Sequence, residues 1–293
     1  MRLTINDTEL YFDVDGAALV ADGPSMRERP TFLLLHGGPG FDHTTYKPHV
    51  SPLADSGQLV YLDQRGQGRS ARAPIDSCSP MQMADDAASL CRTLGIERPV
   101  VLGHSFGGFV ALHLAIRHPE VAGRLVLLNT AAASADMAGG LEMLEDRHGR
   151  AVRAAAERVF GGDFSEAAQA DFQRLAFPAY VSNPANAMLL EEAFARAVLN
   201  MNVAAHYFER YAPTYDVRGD LGAIRVPTLI VTGDEDWVIH PNASRALAAA
   251  ISDAELLVIP GVGHMTFVER PEVVLSAIRR FVGAKELVGV GGL

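Results

Sequence analysis

The chain is poor in cysteine, in excess basic charge and in long apolar runs. Its 293 residues hold two cysteines, Cys78 and Cys91, and 25 Lys and Arg against 35 Asp and Glu. No uninterrupted apolar stretch approaches the ~18 residues of a membrane-crossing helix. Two thiols cannot build a disulfide framework and lack the spacing of a metal site, so both read as plain thiols in a reducing compartment. A net charge of −10 with no Lys/Arg run argues against a nucleic-acid partner, which would require clustered basic side chains. The amino terminus, MRLTINDTELYFDVDG, alternates polar and apolar residues and carries Asp7, Glu9 and Asp13. It reads as a pair of short strands and not as the apolar core of a signal peptide. The expectation is a cytoplasmic protein with a small-molecule substrate, no membrane partner and no nucleic acid; nothing in the sequence sets its oligomeric state.

What is present is an alternation. Apolar runs at 31–37, 58–64, 99–105, 124–130, 227–234 and 254–261 have the composition of buried parallel strands. Helical patterns at 83–95 and 106–118 separate some of them. Strands alternating with helices predict a doubly wound, mostly parallel α/β sheet with its chemistry at the carboxyl ends of the strands. Between Ala131 and Tyr215 the rhythm stops, and Ala-, Glu- and Arg-rich helical spacing replaces it. This predicts core at 1–133, a helical cap at 134–215 and core again at 216–293, with ordinary crossover helices as the alternative to a cap. The final GVGGL reads as a tail.

Gly103-His104-Ser105-Phe106-Gly107 fits G-x-S-x-G between an apolar strand and an Ala/Leu-rich helix. Flanking glycines let the backbone turn sharply and the helix pack closely, leaving the serine hydroxyl exposed as a candidate nucleophile. Serine needs a base, and histidine, with an unperturbed pKa of ~6.5, suits that work. Of ten histidines, His264 stands on the loop after the last predicted strand and before the last helix. His104 reads as packing beside the serine, His118 as a helix end before Pro119, and His240 as a loop residue. For the acid that orients the base, LIVTGDEDWVIHP offers Asp234, Glu235 and Asp236 directly after a strand. Asp236 is preferred, with Asp234 the rival and Glu235 an exposed loop residue. The order Ser, Asp, His along the chain is the one this kind of sheet uses.

An oxyanion needs two backbone donors. The N–H of Phe106, next to the candidate nucleophile, is one, and Gly38 in LLLHGGPG (33–40) is the other. Pro39 lacks an N–H and sets the turn, for which a cis Gly38–Pro39 bond is one option. Neither G-x-x-x-x-G-K-[ST] nor G-x-G-x-x-G occurs in this glycine-rich loop, which removes the phosphate-binding use of such loops. No cofactor and no metal are expected.

With these pieces in place the chain resembles the α/β-hydrolase superfamily over nearly its full length, and within it the proline iminopeptidase group. The matching stretches are HGGPG (36–40), DQRGQGRS (63–70), GHSFGG (103–108), GDEDWVIHP (233–241) and GHMTFVERPE (263–272). The resemblance implies a helical cap inserted before the acid-bearing strand, and a bracing role for Asp63 and Arg65 beneath the site. It also exposes departures. Enzymes of the group that release amino-terminal proline typically carry Trp where Phe106 stands, and hold the substrate ammonium with cap glutamates. One of these precedes an HYF stretch; here Ala204 and Ala205 precede His206, Tyr207 and Phe208. Glu191, Glu192 or Glu209 could substitute, each with the alternative reading of a solvated helix-face residue.

The sequence therefore predicts a cofactor-free Ser–His–Asp hydrolase acting on a small carboxylic ester or lactone through an acyl-enzyme. A proline iminopeptidase or amidase with the same triad is the first alternative, and a non-catalytic receptor on a hydrolase fold the second. Phe160, Phe164, Phe172, Phe177, Tyr180, Phe194 and Tyr207 are candidates for either cap core or pocket lining.

Overall fold

A computed structural model describes residues 1–283, so the expected GVGGL tail lies outside the described residues. Strands β1 (Arg2–Ile5) and β2 (Thr8–Asp15) form an antiparallel pair at one edge of the sheet. A hairpin of β3 (Leu19–Asp22) and β4 (Ser25–Glu28) stands apart from it. No sequence signal marked this hairpin, because all of it but Val20 is exposed and its residues face no core.

The main body follows as β5 (Thr31–Leu35), β6 (Gln58–Asp63), α1 (Pro80–Leu94), β7 (Val100–His104), α2 (Phe106–Arg117) and β8 (Arg124–Leu128). Helices α3 (Gly140–His148), α4 (Arg150–Phe160), α5 (Glu166–Asp171), α6 (Ala187–Ala195) and α7 (Met201–Arg210) come next. The chain then returns to β9 (Thr228–Gly233), α8 (Pro241–Ala250), β10 (Ala254–Ile259), α9 (Thr266–Glu269) and α10 (Pro271–Gly283). The eight-stranded sheet has the order β1-β2-β6-β5-β7-β8-β9-β10, parallel from β6 to β10.

The apolar runs are continuous because both faces of these strands are covered. Leu33, Leu35, Val101, Leu125, Leu127 and Ile230 face the core shared with α1, α2 and α8. Their neighbours Phe32, Leu34, Leu102, Val126, Leu128 and Val231 face the opposite core, closed by α10. Each such leucine or valine removed from water contributes ~1.5–3 kcal/mol before entropy is counted. Helix α1 begins earlier than the apolar spacing predicts. Ser79 caps it by accepting the Gln82 N–H, Pro80 fits its first turn, and Gly95 ends it in a left-handed conformation.

Strand β6 lies on one side of β5 and β7 on the other, so the winding reverses at β5. A crevice opens at the carboxyl ends of strands where the order reverses. The loop after β5 and the turn after β7 meet there, and they carry Gly38 and Ser105. Residues between β8 and β9 are helices and turns, and an isolated antiparallel bridge between Ala133 and Asp216 brings the two ends of that stretch together.

Candidate active site

Ser105 sits between β7 and α2 with φ 52° and ψ −120°, a left-handed conformation that a non-glycine residue adopts only when its surroundings impose it. Those surroundings are visible. The Ser105 N–H donates to the Leu128 carbonyl at the end of β8, and its own carbonyl accepts from Gly108 N–H and from Thr130 Oγ1. The turn also needs its glycines. A Cβ on Gly103 would stand 2.4 Å from the Gly107 carbonyl oxygen, and one on Gly107 would stand 1.9 Å from that of Leu35. The start of α2 is thereby packed against the end of β5, and the first N–H groups of an α-helix, here from Phe106 on, have no partner four residues earlier within the helix.

Asp236 and His264 meet across the loops after β9 and β10. His264 Nδ1 lies 2.9 Å from Asp236 Oδ2 and 3.1 Å from Oδ1, with both side chains buried. With Nδ1–H donating to the carboxylate, Nε2 keeps its lone pair. Asp236 is held from three further directions, accepting from the N–H groups of Val238 and Ile239 and from the Asn129 side-chain amide at 2.8 Å. Of the other acidic residues in the loop, Asp234 is exposed and accepts from Gly261 N–H, while Glu235 pairs with Arg147. Asp236 alone of the three meets the histidine.

Asn129 was not legible as a functional residue in the sequence. It directly follows β8 with φ 49°, is fully buried, and connects three loops. Its amide donates to Asp236 and to the Gly263 carbonyl, and its Oδ1 accepts from Thr266 Oγ1 at 2.8 Å. In the segment 179–183 the sequence marked the Tyr180 ring but not the backbone contacts. Its Ala179 carbonyl accepts from Trp237 Nε1, and its Tyr180 carbonyl accepts from His264 N–H. Glu269 completes the clamp by accepting from the N–H groups of Ser182, Asn183 and Gly263. The Tyr180 ring stands edge-on to the His264 imidazole at 5.4 Å.

His104 packs beside His264, with ring centroids 4.9 Å apart, and its Nε2 lies 3.1 Å from the His264 carbonyl oxygen. Burial holds the His104 pKa well below the ordinary histidine value, with the neighbouring His264 pushing the same way, so it donates as a neutral ring. His118 caps the end of α2 and contacts Asp85; His240 caps the start of α8.

The loop after β5 carries a cis Gly38–Pro39 peptide and Gly38 at φ 127°. His36 anchors its start: Nδ1 donates to the Gly37 carbonyl, Nε2 accepts from Gln64 N–H, and Gln64 Nε2 donates to the His36 carbonyl. Gly40 ties the far end, donating to Gln67 Oε1 and accepting from Asn200 N–H. Beneath, Asp63 accepts from the backbone and ring of His43 and from Arg69 N–H. Burial opposes ionisation of Asp63, but the hydrogen bond and charge of His43 keep its pKa below the usual carboxylate value. Arg65, fully buried, pairs with Asp86 and Asp7.

Ala204 lies against the loop after β5: a Cβ on Gly40 would come within 3.3 Å of the Ala204 methyl. Glu191, Glu192 and Glu209 are all exposed. Phe177 and Tyr207 are buried, and Phe160 stacks with Phe208 and Trp237 in the core of the helical segment. Among the described residues no cluster of three or more His, Cys, Asp or Glu is placed to hold a metal ion, and no helix is long and apolar enough to cross a membrane.

A family model described as the alpha/beta hydrolase fold matches residues 30–271, and the chain belongs to that family. It is 30% identical over 277 residues to the proline iminopeptidase PfmaB of Pestalotiopsis fici, covering 92% of this chain and 97% of that one. The proline iminopeptidase structure from Mycobacterium smegmatis superposes with a TM-score of 0.75 at 24% identity, covering 98% and 99% of the two chains. A thermophilic esterase from Thermogutta terrifontis superposes with a TM-score of 0.71 at 27% identity, covering 96% and 97%.

Proposed function

Because the chain is an α/β-hydrolase, we propose that it is a cofactor-free serine hydrolase that cleaves a small carboxylic ester or lactone through an acyl-enzyme. The observation that carries this reading is the buried Asp236–His264 pair at 2.9 Å, on loops at the same sheet edge as the left-handed Ser105. In the mechanism, His264 Nε2 takes the Ser105 hydroxyl proton as Oγ attacks the substrate carbonyl carbon. The N–H groups of Phe106 and Gly38 hold the oxyanion, and losing one such donor typically costs ~2.7–4 kcal/mol of barrier. His264 then returns the proton to the leaving oxygen, and a water activated by the same nitrogen releases the acid and restores Ser105.

Residues 134–215 act in this reading as a cap over the strand ends. An ester or lactone is favoured over an amino-terminal prolyl amide by the cap chemistry. Positions 204 and 205 are alanine, and the three cap glutamates that could replace a carboxylate there face solvent. A desolvated ammonium without its carboxylate forgoes a charge-assisted hydrogen bond worth ~1.5–3 kcal/mol. The prolyl amide is the second reading, supported by the 30% identical iminopeptidase. A cytoplasmic location is supported by the two buried free thiols.

The test is a paired assay of the protein and Ser105→Ala on a short-chain aryl ester, an acyl lactone and a prolyl amide, with fluorophosphonate labelling. Labelling at Ser105 and serine-dependent cleavage of ester or lactone is the expected result. A preference for the prolyl amide transfers the assignment to the second reading. Activity retained in Ser105→Ala overturns the mechanism.

A further inference from the structure

We propose that Tyr207 is a specificity-determining residue, its phenol donating a hydrogen bond to a second oxygen in the substrate's acyl group, beyond the scissile carbonyl. This rests on the acyl-enzyme reading above. The substrate class that follows is an ester or lactone whose short apolar acyl chain carries one keto, ether or amide oxygen.

The placement of Tyr207 comes from α7. Ala204, one turn earlier on the same helix, lies against Gly40 of the loop proposed to hold the oxyanion. Tyr207 itself meets Phe106, the residue after the candidate nucleophile, edge-on with ring centroids 5.0 Å apart. It also stacks on Phe109, against which Tyr215 packs at 4.4 Å. Residues 204 and 207 therefore bridge the loop after β5 and the turn after β7, the two places from which the substrate carbonyl would be gripped.

The hydroxyl is the anomaly. Tyr207 is 3% exposed, and its phenolic oxygen is buried with no hydrogen-bond partner among the described residues. Buried tyrosines elsewhere are satisfied: Tyr46 donates to the Leu35 carbonyl and Tyr215 to that of Ala131. A buried phenol without a partner is costly, and for a ring packed on the residue that follows the candidate nucleophile, a group arriving with the substrate supplies the missing acceptor. Burial raises the Tyr207 pKa above the usual phenol value, so the group stays neutral and can donate. Of its ring neighbours Phe106, Phe109 and Phe208 are apolar and Tyr211 carries a phenol, none of them a charged group, which favours a largely apolar chain with a single acceptor over a charged one.

Tyr207→Phe removes this oxygen and little else. Two aryl esters with the same leaving group are compared, one with a plain pentanoyl group and one with its oxo-substituted counterpart, with Ser105 labelling followed in both proteins. The expected result is that the oxo-over-plain ratio of kcat/KM falls about tenfold in Tyr207→Phe, the size of one lost hydrogen bond. A ratio that moves less than about twofold, with wild-type hydrolysis intact, overturns the proposal and leaves Tyr207 as packing. Wild-type protein that neither labels at Ser105 nor cleaves either ester overturns the acyl-enzyme reading instead, and this inference with it.

Discussion

The side-chain amide of Asn129 donates to Asp236 Oδ2 across 2.8 Å, joining the end of one strand to a carboxylate 107 positions further along the chain. The same side chain accepts from Thr266, two residues beyond His264. Asp236 and the loop that carries His264 are thus tied to one buried amide whose own backbone is held left-handed at φ 49°.

Removing that amide separates orientation from chemistry. Asn129→Ala is expected to lower kcat by about 10–100-fold and stability by ~1.5–3 kcal/mol, since it strips a hydrogen bond from a buried carboxylate. Thr266→Val, which breaks only the outer link to Asn129, is expected to lose less of each. Ester kinetics and urea unfolding on both variants check the order; equal losses would contradict it.

The carboxylate itself is the next target. Asp236→Asn keeps the shape of the loop but offers His264 Nδ1 no charged acceptor. A fall in kcat on the order of 10⁴-fold is expected, with the protein still folded by circular dichroism. A loss under tenfold would remove Asp236 from the proposed triad.

Gly107 tests how closely α2 is packed. In an open helix Gly→Ala stabilises by up to ~1 kcal/mol. Here the new methyl would stand 1.9 Å from the Leu35 carbonyl oxygen, in backbone that cannot swing aside. Gly107→Ala is expected to cost ~3 kcal/mol or more, and to abolish ester turnover. Gly222→Ala, where nothing lies within 4 Å, serves as the near-neutral control. Urea midpoints of the two variants distinguish the cases.

Neutral histidines in and beside the core are expected to lower stability in acid. His36 and His104 are lowered chiefly by burial, and His113 is lowered to about 4 by burial and by Arg117. Below the unfolded value of ~6.5 the unfolded chain binds protons that the folded chain refuses, so stability falls as pH drops from there toward the folded values. For His113 that loss amounts to roughly 2–3 kcal/mol by about pH 4. His113→Gln is expected to flatten the decline of the urea midpoint between pH 6.5 and 4. An unchanged slope would show that His113 does not titrate as described.

Much of this molecule could be read along the chain, and the reasons are local. Residues 31–35, 100–104 and 124–128 are near-continuous apolar runs because each strand is covered on both faces, so burial wrote itself into composition. Ser105 was legible as a candidate because the turn that strains it needs glycines two positions away on each side, Gly103 and Gly107, and these lie close in sequence. The hairpin at 19–28 left no mark, since exposed strands need no apolar alternation.

Other features were decided only when the sheet closed. Nothing in LLNTAAA distinguishes an asparagine that ends a strand from one that will hold Asp236, because their proximity arises from the parallel pairing of β8 with β9. Position after the strand already favoured Asp236 over Asp234, but which of the three acidic residues meets the histidine depends on His264 arriving from the loop after β10. Tyr207 likewise has the helical spacing of an ordinary core residue. Its hydroxyl became conspicuous only when Phe106 and Phe109 closed around it without an acceptor. Sequence determined which residue types stand at strand ends, because turns and buried strands constrain composition locally. Tertiary structure decided which of them meet, because hydrogen bonds and ring contacts depend on distances that only packing sets.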